Sequence, residues 1–303
     1  MHFADRLADA LKARQTPACV GFDPVYERLP EALRSAIGSN PSPVQTAAAI
    51  SAFGKRVFER VAPLVAVVKI NIGFFEPLRA AGVDAYYELV ESARRLGLIV
   101  IGDVKRGDIG HTSAAYAEAH LADGESVAPD AVTISGYLGI DGVSPFLDIA
   151  RAHGKGVFVL VHTSNPSAGQ VQHLQTPDGT EVAEHLAAHV NDWAHTDGLM
   201  GASGFSSVGA VVAPGDVERA RRLRQRMPDS IFLVPGFGAQ GRSVEQVAAC
   251  FKDDGTGAIV NASRSVLYAY EDQRLRDQCG GDWASCVERG CIEFVDALRA
   301  VRS

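Results

Sequence analysis

The feature that most constrains this chain is a repeated alternation. Eight short, largely apolar runs alternate with segments of helical periodicity, and no linker or low-complexity stretch interrupts them. The runs occupy residues 18–24, 65–72, 98–101 with the polar stretch that follows, 131–135, 156–164, 209–213, 231–235 and 257–261. Helical spacing of apolar residues covers 3–12, 44–61, 83–96, 112–121, 142–153, 181–193, 216–227, 243–250 and parts of 266–301. Residues 25–43 read as a long loop with at least one helical turn. A strand covered on both faces reads as a continuous apolar run, and strands separated by helices imply a parallel sheet. Eight such units in 303 residues fit one domain over 1–303, a closed parallel (β/α)8 TIM barrel with extra N-terminal and C-terminal helices. A doubly wound open sheet is the alternative. No Gly-x-Gly-x-x-Gly turn follows the first strand, and charged or small polar residues end almost every strand, as expected when all eight surround one mouth.

The stretch Gly102-Asp103-Val104-Lys105-Arg106-Gly107-Asp108-Ile109-Gly110 follows the apolar run 98–101. Strand periodicity puts Asp103 and Lys105 on one face with Val104 on the other. Gly107 breaks the strand and leaves Asp108 in the following loop. Lys69 and Asn71 share a face of the second strand, opposite Val68 and Ile70. In a barrel these strand ends converge with Asp23, Ser164, Gln240 and Arg264 at the C-terminal mouth. Gly236, Gly238 and Gly241 allow close backbone approach to an anion, and Arg264, after strand eight, adds a fork of donors. That combination points to a phosphate.

Lys69, Asp103, Lys105 and Asp108 form an alternating charge array in this reading. Opposite charges ~4 Å apart attract by ~4 kcal/mol at an effective dielectric of 20, which keeps all four ionised. A substrate carboxylate pressed on the aspartates is repelled, and the repulsion ends if it leaves as carbon dioxide. A neighbouring lysine can then protonate the carbanion. The array therefore suggests decarboxylation without a metal or cofactor.

The net charge of −7 gives no general reason to bind nucleic acid or an anionic membrane. No apolar run is long enough to span a bilayer, and residues 1–6 lack the layout of a signal peptide. Five scattered cysteines argue against a disulfide framework and for a reducing cytoplasm. Cys279, Cys286 and Cys291 fit no common zinc spacing. The arginine-rich helix at 216–227 reads as a solvated face.

The run Asp103 to Thr112 resembles the signature of orotidine 5′-phosphate decarboxylases, especially their longer bacterial branch, the type 2 subfamily. Gly21-Phe22-Asp23-Pro24, Val68-Lys69-Ile70-Asn71, Val161-His162-Thr163-Ser164-Asn165-Pro166, Pro235-Gly236-Phe237-Gly238-Ala239-Gln240-Gly241 and Ser263-Arg264-Ser265 match that family in order. The resemblance implies a metal-free enzyme that turns orotidine 5′-phosphate into UMP in pyrimidine biosynthesis. By position, Lys105 is the proton donor to pyrimidine C6 and Asp103 presses on the scissile carboxylate. Lys69 orders the array and touches the ribose, and Asp23 holds a ribose hydroxyl. Asp108, Ile109 and Thr112 act across a homodimer, in the neighbouring subunit's site. Ser164 meets the pyrimidine beside Pro166, while Gln240 and Arg264 grip the phosphate under loops that close after strands five and seven. Ser135-Gly136-Tyr137 stands where this branch usually has Asn-Pro-Tyr, and His162 where arginine is expected. His162 and His111 read as hydrogen-bonded or exposed rather than catalytic.

Two rivals remain at this level. One is a magnesium-dependent sugar-phosphate enzyme, a decarboxylase or aldolase, on the same barrel, which places a carboxylate where this chain has Lys69. The other is a barrel that binds nucleotides without turnover.

Overall fold

In the computed structural model of the chain, which describes residues 2–35, 37–38, 40–124, 127–236 and 244–302, every strand pairs in parallel with its sequence neighbours and the last pairs with the first. The strands are β1 (Ala18–Phe22), β2 (Val67–Asn71), β3 (Ile99–Arg106), β4 (Ala131–Ser135), β5 (Gly156–His162), β6 (Ser206–Val212), β7 (Ser230–Val234) and β8 (Ala258–Ala262). They close into the eight-stranded barrel that the alternation predicts.

The helices are α1 (Phe3–Arg14), α2 (Glu31–Arg34), α3 (Pro43–Val61), α4 (Arg79–Arg95), α5 (Gly110–Leu121), α6 (Ile140–His153), α7 (Val182–Ala194), α8 (Val217–Arg226), α9 (Val244–Ala248), α10 (Arg264–Leu267), α11 (Gln273–Gln278) and α12 (Trp283–Arg302). Local chemistry sets several ends. Ser42 caps α3 by accepting the Gln45 N–H while the Gln45 side chain returns to the Ser42 N–H, with Pro43 in the first turn. Gly154 ends α6 at φ 61°, a left-handed conformation that glycine adopts without a Cβ clash.

Two elements start more than two residues from where the sequence reading puts them. Helix α4 starts at Arg79 rather than near residue 83, because 3-10 turns at Ile72–Phe74 and Glu76–Leu78 lead directly into it. Strand β6 starts at Ser206 rather than 209. The Ser206 hydroxyl donates to the Ala194 and Leu199 carbonyls, so a buried polar residue hides the strand from an apolar pattern.

The core divides at the sheet. Outward residues such as Val68, Ile70, Val100 and Val104 pack against the helices. Inward residues Cys19, Val67, Ile99, Ile101, Ala131, Phe158, Ile231 and Ile259 fill the barrel, and Phe3 and Leu7 of α1 pack onto its lower end. Moving up β2 and β3, the inward positions change from Val67, Ile99 and Ile101 to Lys69 and Asp103. The barrel thus has an apolar floor and a charged mouth.

The basic helix is not uniformly solvated. Arg224 is buried, with its guanidinium 3.4 Å from the Phe232 ring centroid. It donates to the carbonyls of Cys250, Met227, Ser230 and Gly257. Burial holds its pKa down to about 10. The fork satisfies loop carbonyls that converge beneath the sheet, a function that helical periodicity cannot reveal.

Candidate active site

The C-terminal mouth opens on a cavity of about 460 Å³. Asp23, Lys69, Asp103, Lys105, Ser164 and Arg264 all line it, although they come from five different segments of the chain. The register explains the meeting of Lys69 and Asp103. Lys69 pairs with Ile101 and Asn71 with Asp103, so both charges lie on the inward face within one pleat.

Asp103 is the centre of the group. Its Oδ2 accepts from Lys69 Nζ at 2.5 Å, and its Oδ1 accepts from Lys105 Nζ at 2.5 Å and from the Thr133 hydroxyl at 2.9 Å. Lys69 Nζ also lies 3.8 Å from Asp23 Oδ1. Burial alone would raise the Asp103 pKa, but the Lys69 and Lys105 ammonium groups hold it well below the usual carboxylate range. Burial likewise works against the Lys69 charge, and Asp103 with Asp23 more than restores it, so its pKa lies above that of an ordinary lysine. The two opposite shifts have one cause, a desolvated pair of charges that stabilise each other. Cys19 lies beneath them with its thiol pushed up to about 12, chiefly by burial, and stays protonated.

Lys105 reaches Asp103 by a route that strict alternation does not supply. Its φ is 46°, a left-handed conformation that a lysine seldom adopts. Gly102 faces Val132 while Arg106 faces Ile134, so β3 bulges against β4 at this point. The Thr133 hydroxyl accepts the Lys105 main-chain N–H at 3.1 Å and holds the bulge. Its Nζ projects into the cavity mouth, and the side chain is 48% exposed while that of Asp103 is 7% exposed. One partner is accessible to a ligand and the other is fixed.

Asp23 Oδ1 is buried and has no hydrogen-bond partner among the described residues, with Lys69 Nζ 3.8 Å away, and Asp23 lines the cavity. The Tyr268 hydroxyl donates to the Asp23 carbonyl at 3.0 Å and accepts the Val25 N–H at 2.8 Å, which fixes the loop after β1. Gly21 lets β1 approach Ser263 of the cavity wall closely, since a Cβ there would lie 2.1 Å from Ser263 Oγ. Arg264 is exposed beside Gly236, whose φ is 86°.

Several predicted residues stand elsewhere. Asp108, Ile109, Thr112 and Pro166 do not line this cavity. The Asp108 carboxylate accepts the Ile109 N–H at 2.8 Å, and Asp108 forms no ion pair among the described residues. Within one chain the array therefore contains Asp23, Lys69, Asp103 and Lys105, without Asp108. Gln240, Gly238 and Gly241 lie outside the described residues. His162 is buried and hydrogen-bonded, and His111 is exposed.

Asn71 lines the site beside Lys69, on the face the strand pattern gave it; Thr133 and Tyr268 also line it and were not singled out from sequence. Thr133 had a signal, an inward polar position in an apolar strand. Tyr268 had none, because it reaches Asp23 across most of the chain's length. A second cavity, about 560 Å³, opens at the opposite end of the barrel beside Lys12, Phe205 and Lys252. It contains none of the charge array.

Residues 43–275 match the orotidine 5′-phosphate decarboxylase / HUMPS family. The chain is 38% identical to the orotidine 5′-phosphate decarboxylase of Rhodopirellula baltica over 99% of both chains. It is 34% identical to that of Clostridium perfringens over 98% of both. The crystal structure of a candidate orotidine 5′-phosphate decarboxylase from Streptomyces avermitilis superposes with a TM-score of 0.81 at 33% identity, covering 99% of this chain and 96% of that one. This chain belongs to the orotidine 5′-phosphate decarboxylase / HUMPS family.

Proposed function

We propose that this chain decarboxylates orotidine 5′-phosphate to UMP and carbon dioxide, with Lys105 as proton donor and without a metal or organic cofactor. The observation that carries the reading is Asp103 held ionised between Lys69 and Lys105 at the cavity mouth. A bound substrate carboxylate meets a carboxylate that cannot readily take up a proton. Breaking the C6–carboxylate bond removes that repulsion, leaves the electron pair on C6 and releases carbon dioxide. The Lys105 ammonium then transfers its proton to C6. Lys69, already tied to Asp103 and Asp23, keeps the local charge balanced through this step.

The remaining groups suit the rest of the substrate. The Asp23 carboxylate can accept a ribose hydroxyl, Ser164 can hydrogen-bond the pyrimidine, and Arg264 can pair with the phosphate. Pro166 opens the turn after Ser164 and limits how that loop folds over the base. Gln240 belongs with Arg264 as a second phosphate donor. The Lys69 ammonium stands between Asp23 and Asp103, where it would repel a divalent cation and so disfavours the magnesium-dependent alternative.

The active form is a cytoplasmic homodimer with shared sites. Asp108, Ile109 and Thr112 do not line their own cavity, and the neighbouring surface is apolar: Ile109 is 55% exposed, Tyr137 80% and Ile140 47%. Packing this surface on a second copy would carry Asp108 to the partner's array.

The primary test follows the loss of orotidine 5′-phosphate absorbance with purified protein in excess chelator. Turnover that disappears in Lys105→Ala supports the assignment, and a folded protein without turnover overturns it. Mixing Lys105→Ala with Asp108→Ala chains should restore activity through hybrid dimers. No recovery despite measured subunit exchange overturns the shared site.

A further inference from the structure

Two histidines outside the charge array face each other at the edge of the cavity. His162 ends β5, and His173 lies in the β5–α7 loop, whose first residues Thr163 and Ser164 line the cavity. The two Nε2 atoms are 3.1 Å apart, the ring centroids are 5.3 Å apart and the ring planes lie within 20° of parallel, so the rings meet edge to edge. His162 Nδ1 is 3.1 Å from the Ala213 carbonyl oxygen. A carbonyl only accepts, so His162 Nδ1 carries the ring proton and its Nε2 is left as an acceptor. His173 Nε2–H is then the donor. Beside this contact, Gln172 Oε1 accepts the Thr163 N–H at 2.9 Å and Gln172 Nε2 donates to Thr163 Oγ1 at 2.7 Å. Residues 172 and 173 are thus fastened onto 162 and 163, immediately before Ser164.

We propose that His162, His173 and Gln172 are positioning residues, a latch that holds Thr163 and Ser164 at the cavity wall and opens when His162 takes up a proton. The proposal rests on the reading of this cavity as the orotidine 5′-phosphate site. A proton on His162 Nε2 would set two N–H groups head-on across 3.1 Å and abolish the bond. A proton on His173 Nδ1 would leave the bond intact, so the response belongs to His162.

The charged surroundings of His162 favour the closed state at neutral pH. Arg219 of α8 and His173 oppose a positive His162, while Glu181, which precedes α7, and the Ala213 carbonyl favour it. Glu181 is already engaged by the Arg219 guanidinium at 2.7 and 2.9 Å. Burial is the largest influence and lowers the His162 pKa. The latch is therefore closed at pH 7.5 and opens only on the acid side of the ordinary imidazole value of about 6.5.

The test combines amide hydrogen exchange of residues 163–174 in the ligand-free protein with steady-state kinetics. Between pH 7.5 and 5.5 the unaltered protein should lose protection in this loop by about tenfold after correction for intrinsic rates. His173→Ala should exchange at that faster rate already at pH 7.5, with KM raised about tenfold and kcat within about twofold. His173→Gln, whose amide can still donate to His162 Nε2, should restore both values. The substrate phosphate itself titrates near about 6, so KM is compared between variants at each pH. Unchanged loop protection in His173→Ala at pH 7.5, or an acid-side loss of protection equal in that variant and the unaltered protein, overturns the proposal. The exchange readout does not need turnover, so an inactive but normally latched protein would defeat the decarboxylase reading alone.

Discussion

The Thr133 hydroxyl accepts the main-chain N–H of Lys105 at 3.1 Å and so ties the left-handed residue of β3 to β4. The same hydroxyl donates to Asp103, so one neutral side chain fixes both the backbone under the proposed proton donor and the carboxylate that donor touches.

Thr133→Val keeps the shape and removes both hydrogen bonds. It should lower kcat/KM by about 10- to 100-fold and destabilise the fold by about 1–2 kcal/mol, because Lys105 loses the partner for its bulged N–H. Thr133→Ser should retain most activity. Steady-state kinetics with urea unfolding measure both effects, and a fully active valine variant would remove Thr133 from the site.

The Asp103–Lys69 pair should be insensitive to pH over a wide range. The Asp103 pKa is lowered in the fold, so its contribution to stability is present above the ordinary carboxylate value of about 4 and is lost as pH falls through its lower native value. The Lys69 pKa is raised, so its contribution is present below the ordinary lysine value of about 10.4 and is lost as pH rises through the higher native one. Melting temperature plotted against pH should show no step from this pair between about 4 and 10. Asp103→Asn should lose stability throughout that plateau, since it leaves Lys69 buried with only a 3.8 Å partner in Asp23.

Arg224→Leu should cost about 3 kcal/mol in urea unfolding, because it strands buried carbonyls that the guanidinium now satisfies. Arg224 lies outside the charged mouth, so kcat of the folded fraction should not change. A variant as stable as the unaltered chain would show that these carbonyls find other donors.

Ile109→Asp should weaken the proposed dimer, since it places a charge on the apolar surface that includes Tyr137 and Ile140. Sedimentation should shift toward monomer, and kcat/KM should fall at least about tenfold as Asp108 is withdrawn from the partner's site. A monomeric variant with full activity would contradict shared sites.

Much of the site was legible because its residues share one geometric property: they occupy the C-terminal ends of parallel strands. Asp23, Lys69, Asp103, Lys105, Ser164 and Arg264 needed only strand boundaries and the barrel's closure to be brought together. Asp108, Ile109 and Thr112 follow the same motif but leave the cavity, because the loop after β3 turns into α5. Ser206 shortened the sequence reading of β6 because its burial is made possible by carbonyls far from it in the pattern.

By itself the sequence determined the barrel and its polarity, since alternating strands and helices and an apolar-to-polar change at the ends of several strands are local, periodic properties. Only the tertiary structure decided how Lys105 returns to Asp103 through a left-handed bulge, which carbonyls Arg224 serves, and which nitrogen of His162 faces His173. Those outcomes depend on register shifts and contacts between distant segments. A register shift breaks the period of two on which strand reading rests, and hydrogen-bond partners across the fold leave no spacing in the chain.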